Sequence, residues 1–190
     1  MDSLYIYTKL DGKIELLPDQ MNNDIYVNLK ENIINKFEKK CYKNYGYICK
    51  ICNFEKKNNC INGVIRAENV NCSSMFDVEF ECKLCKPLQN KKIICKMDII
   101  NRQLLSAFNG PVTVIISSDG YDNNNFFFNI DDQLIYKKSK NKKILESGNY
   151  VKINIVSTLI IDKSDYILAM GYLIDMATEL EIEQYKKDLD

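Results

Sequence analysis

FDVEFECKLCKP, residues 76–87, carries the clearest structural signal in the chain. Phe76, Val78, Phe80, Cys82 and Leu84 fall on one face of an extended strand, and Asp77, Glu79, Glu81 and Lys83 fall on the other. Strict period-two alternation marks a strand with one face buried and one face wet. Pro87 ends it, because proline has no amide hydrogen to give to a ladder.

Working outward toward the N-terminus, YGYICKICNF (residues 45–54) is a second strand-like run. INGVIR (61–66) follows, with Gly63 placed to supply a turn with positive φ. Further upstream, Asn22, Asn23 and Asp24 offer N-cap chemistry to a helix reaching about Lys40. Ile25, Leu29, Ile33 and Phe37 recur at four-residue spacing as its apolar stripe. Lysines from Lys36 to Lys40 suit the negative pole of the helix dipole. The opening LYIYTKLDGKIELLP (4–18) reads as a strand, an Asp11-Gly12 turn and a second extended piece ending at Pro18. Residues 1–87 are therefore expected to form a small antiparallel sheet with one helix.

Beyond Pro87 the pattern is all β. KKIICKMDII, QLLSAFNGPVTVIIS, NNFFFNI, NYVKINIVSTLII and DYILAMGYLI make five strand-like stretches separated by Asn, Gly, Asp and Ser. Five short strands in about 100 residues fit a small closed barrel of the OB type. The expected class is α+β, with the barrel over residues 88–176. Residues 177–190 are expected to be a polar tail, as a short helix or a frayed end.

Composition narrows function. The chain of 190 residues is 46% hydrophobic and 27% charged, the range of a folded globular protein. No apolar run approaches the ~18 residues of a membrane span. Met1-Asp2-Ser3-Leu4 lacks a basic n-region and an apolar h-region, so no secretory signal is expected. An intracellular location is expected: the nucleus for a eukaryotic chain, or the virion or cytoplasmic factory for one from a large DNA virus. Lys outnumbers Arg, which occurs only as Arg66 and Arg102, and Asn and Ile are abundant. Such a chain suits an A/T-rich genome. Formal net charge is zero, with 26 basic and 26 acidic residues. Dedicated nucleic-acid binders carry a basic excess, so any RNA contact must be local or helped by a partner.

There are eight cysteines and no histidine. Without histidine the commonest general base and the commonest metal ligand are gone. No Walker-type glycine loop and no H-E-x-x-H occurs. The chain is expected to be non-catalytic and to need no cofactor. Two CxxC pairs, Cys49/Cys52 and Cys82/Cys85, invite a four-thiolate zinc site. Against it, 29 residues separate the pairs. Cys82 and Cys85 also lie three apart in an alternating strand, where they point to opposite faces. Free cysteines packed as small hydrophobes are expected, with no metal.

One basic cluster stands out. Lys137, Lys138, Lys140, Lys142 and Lys143 lie between barrel strands, where OB-folds place a ligand-contacting loop. Phe126, Phe127 and Phe128 precede it, and Phe126 and Phe128 are the candidates for stacking on bases beside a cationic funnel.

The order of these features resembles the RNA polymerase stalk subunit family: the seventh subunit of RNA polymerase II and its archaeal and large-DNA-virus counterparts. The matching pieces are the helix followed by EKKCYKNYGYICKI, then INGVIR, FDVEFECKLCKP, FNGPVTVIIS and SDYILAMGYLIDM. They run collinearly over about residues 4–176. One departure is the linker after Lys86-Pro87, where Asn90 and Lys91 replace the family's Gly-Glu. The resemblance implies a tip domain over residues 1–87 that docks on the polymerase core, and an S1-like barrel near the exiting RNA. It places Leu17, Pro18, Asp19, Gly63 and Ile65 at the core-facing end. It also implies core subunits, nascent single-stranded RNA, initiation factors and a second small stalk subunit as partners. The alternative is a free-standing S1/OB RNA-binding protein.

Overall fold

The computed structural model describes residues 4–54, 63–138 and 143–189. Its first sheet is organised around β5 (Ser74–Cys85), whose Phe76, Val78, Phe80, Cys82 and Leu84 are all buried. β1 (Tyr5–Leu16) runs antiparallel beside the whole of β5, from Leu16 opposite Ser74 to Tyr5 opposite Cys85. On the other flank, β3 (Gly46–Phe54) pairs with the Phe80–Cys85 half and β4 (Val64–Ile65) with Met75 and Ser74. β2 (Lys40–Tyr42) completes the order β1-β5-β3-β2.

Helix α1 (Ile25–Phe37) covers this sheet with Leu29, Ile33 and Phe37. Burying three such side chains contributes on the order of 1.5–3 kcal/mol each. The helix begins with Asn22 Oδ1 accepting the Asp24 amide at 2.8 Å. It stops before the expected Lys40, because Glu38 is extended and Lys39 turns to φ 59°.

Two glycine readings are corrected. The Asp11-Gly12 turn does not form: β1 runs straight through, with Asp11 opposite Glu79 and Gly12 opposite Val78. Gly12 instead makes room for α1, since a Cβ there would lie 2.8 Å from ring carbons of Phe37. Gly63 does not supply positive φ; a Cβ there would lie 2.6 Å from the Phe76 ring. Both residues are glycines because something large must come close.

The second body is a closed barrel. β6 (Lys92–Ile100), β7 (Leu104–Asn109), β8 (Val112–Ser117), β13 (Ile167–Met176) and β12 (Tyr150–Leu159) follow in that order, and β12 pairs back to β6. Every neighbouring pair is antiparallel except β8 with β13. This arrangement is consistent with an OB-like barrel, and its inward residues, among them Val114, Ile116, Ile153 and Leu173, form the larger core.

The five strands are not the five expected. QLLSAFNGPVTVIIS is a hairpin, folded at Gly110 with φ 52°. NNFFFNI leaves the barrel as β9 (Phe126–Phe128), which joins β10 (Leu134–Tyr136) and β11 (Lys143–Ile144) in a separate three-stranded sheet. That sheet is inserted between β8 and β12.

The two bodies are clasped. Cys41 and Cys85 of the first sheet are buried in the barrel core. The Cys41 amide donates to Ser164 O at 2.8 Å, and Lys163 N donates back to Cys41 O at 2.8 Å. The tail forms helix α2 (Glu179–Leu189), with Tyr185 buried edge-on against Tyr150 at 5.5 Å.

Candidate functional site

The distal end of the first sheet is built by one residue with two neighbours. Ser74 opens β5 and pairs with Leu16 on one side and Ile65 on the other. Leu17 and the short turn Pro18–Gln20 continue from β1, and Gly63 precedes β4. The pairing thus brings Leu17, Pro18, Asp19, Gly63 and Ile65 to one end of the molecule. Leu17, Val64 and Ile65 stay exposed there, and Val70 in the adjoining loop is 95% exposed. The loop is held by Asn69, whose side chain bonds Ser73 Oγ and whose Oδ1 accepts the Asn71 amide at 3.0 Å. Ser73 in turn hydrogen-bonds Glu15. Those bonds, from Ser73 first and then Asn69, hold the Glu15 carboxyl below its ordinary value.

From this end β5 runs 12 residues to Cys85, inside the barrel core. At ~3.3 Å per residue the exposed apolar end stands roughly 36 Å from that core.

The inserted sheet arranges the aromatic and basic candidates differently from expectation. Phe126 is fully buried, its ring 5.3 Å from Tyr136, so it has no face for a ligand. Phe128 is half-buried, edge-on to Tyr121 at 5.8 Å. Phe127, not a stacking candidate by sequence, is half-buried with the Lys137 ammonium 5.4 Å from its ring centre. Together with Arg102 and Ile130, Phe127 and Phe128 line a shallow groove of about 450 Å³.

Lys137 also donates to Asn123 O. Lys138 reaches Asp175 Oδ2 at 3.0 Å, and Tyr136 Oη donates to Asp175 Oδ1 at 2.6 Å. Burial alone would raise the Asp175 carboxyl, but the bonds from Tyr136 and Lys138 hold it below its ordinary value. Lys143 is exposed on β11. Lys140 and Lys142 lie outside the described residues.

The cysteine pairs do not converge. Cys82 packs under α1 while Cys85 packs in the barrel, and Cys52 is exposed. Among the described residues no group of three or more Cys, Asp or Glu is placed to hold a metal. Among them, too, no helix is long and apolar enough to cross a membrane.

No family model matches this chain. Over 186 residues it is 32% identical to a protein of Acanthamoeba polyphaga mimivirus that carries the name of a DNA-directed RNA polymerase subunit. The alignment covers 98% of this chain and 90% of that protein, so it spans the residues of both sheet and barrel. This chain belongs to that RNA polymerase subunit family.

In this polymerase subunit the sequence holds a further signal, one that strand patterning alone misses. Thr178-Glu179-Leu180-Glu181 is a T-x-x-E capping box. Thr178 donates to Glu181 Oε2 from its amide at 2.8 Å and its hydroxyl at 2.7 Å. The same carboxylate group bonds Lys152 at 2.7 Å, which pins α2 to the barrel.

Proposed function

We propose that the chain is a non-catalytic stalk subunit of a DNA-directed RNA polymerase. The distal end of its first sheet, residues 1–87 acting as a tip domain, docks on the polymerase core. The barrel, residues 88–176, works as an S1-like platform for nascent RNA or initiation factors.

One observation carries the reading: Leu17, Val64, Ile65 and Val70 are exposed together at the end farthest from the barrel. An exposed apolar cluster of this kind marks an interaction site. Family membership supplies the partner, the core subunits of a polymerase. The rigid clasp between sheet and barrel then holds the barrel at a fixed stand-off from the docking end.

RNA contact rests on Lys137, Lys138, Lys140, Lys142 and Lys143, with Phe127 and Phe128 of β9 as the rings on hand. The lack of any basic excess in the chain fits a guiding role, in which the core supplies most of the affinity. A second small stalk subunit is a further partner of this reading. The test is co-purification of the polymerase with a tagged Leu17→Glu/Ile65→Glu variant. Both side chains are exposed, so the variant should fold and lose the core. Retention of the core at the native level overturns the docking surface.

A further inference from the structure

A groove of about 800 Å³ opens beside α1, between the mid-section of β1 and β5 and the turn joining β12 to β13. Its shape is preset by bonds across it. Tyr42 Oη donates to Asp11 O at 2.8 Å, and the Lys43 amide donates to Asp162 Oδ1 at 2.7 Å. A concavity of this size that is already formed spends little ordering energy on binding.

Its rim is unusually rich in cations. Lys13, Lys36, Lys40, Lys43 and Lys163 line it, against Asp11, Asp77 and Asp162. Asp77 lies 3.6 Å from Lys13, Asp162 accepts the Lys43 amide, and Lys36 Nζ donates to Lys13 O at 2.7 Å, which leaves Lys40 and Lys163 as the cations the argument uses. Lys43 and Lys163 hold φ values of 47° and 65°, a left-handed backbone uncommon outside Gly, Asn and Asp. Such conformations persist where surrounding structure enforces them, and they cluster at binding sites.

The floor decides which anion fits. It is apolar, formed by Phe37 and Val78. Both rings of the groove are already partnered: Phe37 stacks on Phe80 at 5.2 Å and has the Lys36 ammonium 5.5 Å from its ring centre. Tyr42 stacks on Tyr45 at 6.0 Å and carries the Lys43 ammonium at 4.9 Å. We propose that this groove receives an acidic protein segment, with one large apolar side chain on the Phe37–Val78 floor and carboxylates on Lys40 and Lys163.

This site is separate from the core-docking end, and one preparation tests both. A photo-crosslinking residue replaces Lys13, on the same rim, in the tagged full chain, the complex is purified under native conditions, and crosslinked peptides are mapped by mass spectrometry. The expected product is an acidic protein segment, its yield reduced at least fivefold by Lys40→Glu/Lys163→Glu and also by the milder Lys40→Gln/Lys163→Gln. Crosslinking to RNA, to a segment without acidic residues, or to nothing overturns the proposal. Recovery of polymerase core subunits in the same sample reports on the docking reading independently.

Discussion

Cys82 and Cys85 lie three residues apart on β5, yet their thiols sit in different hydrophobic cores. One packs beneath α1, the other inside the barrel, so the strand threads both bodies. Burial pushes the Cys82 thiol up to about 12, with nearby Cys52 and Cys49 adding to the rise. Burial raises Cys85 and Cys95 as well. Raised thiols are neutral at physiological pH and poor metal ligands. Native alkylation at pH 8 should label exposed Cys52 and Cys72 at least tenfold faster than Cys82, Cys85 and Cys95. Metal analysis should find no stoichiometric zinc. For Cys82 the folded value lies above the ordinary one of 9.0. Its contribution to stability is therefore complete below pH 9 and lost as pH climbs toward about 12. Equal labelling of all five sites would contradict this picture.

Gly12 separates two readings of one dipeptide. A turn would accept alanine readily. In β1, a Cβ would press on Phe37, and overpacking of this kind costs about 1–3 kcal/mol. Gly12→Ala should lower the thermal midpoint accordingly, and an unchanged midpoint would mean that α1 does not lie where it is described.

The C-terminal helix should matter to stability. Thr178→Ala removes the hydroxyl bond to Glu181 and keeps the amide bond, at about 1 kcal/mol. Tyr185→Ala empties a buried aromatic site at about 3 kcal/mol. Denaturant titration with an unchanged slope would read both, and a neutral Tyr185→Ala would show that α2 is not docked.

Much of this was legible in the chain, and the failures have physical causes. The alternation from Phe76 to Leu84 identified a half-buried strand, because burial on one face imposes that period. Asp11-Gly12 misled because local turn preference yields to a 12-residue pairing partner. Gly110-Pro111, a two-residue loop with glycine first, was hidden inside an apolar run and does fold a hairpin, with Asn109 opposite Val112. Phe126, Phe127 and Phe128 are chemically identical, so only the register with Tyr136, Ile135 and Leu134 tells the buried ring from its neighbours. The groove beside α1 joins residues far apart in sequence, which no local pattern announces.

That register makes a prediction about RNA. Glu at Lys137, Lys138 and Lys143 should cut RNA crosslinking several-fold. It should also reduce the salt slope by about 2, at roughly 0.7 per phosphate contact. Phe127→Ala should weaken crosslinking with stability kept. Phe126→Ala should instead destabilise by about 3–5 kcal/mol, as expected for a core phenylalanine. Unchanged crosslinking in the lysine variant would remove RNA from this loop.

The central claim is membership of a polymerase through the distal end of the first sheet. The most direct measurement is affinity purification of the tagged chain from its native source after nuclease treatment, in parallel with Leu17→Glu/Ile65→Glu. Mass spectrometry should find the two largest polymerase subunits with the native chain and lose them with the variant. Recovery of RNA-dependent partners alone, with no polymerase subunit from either chain, would contradict the account and favour a free-standing RNA-binding barrel.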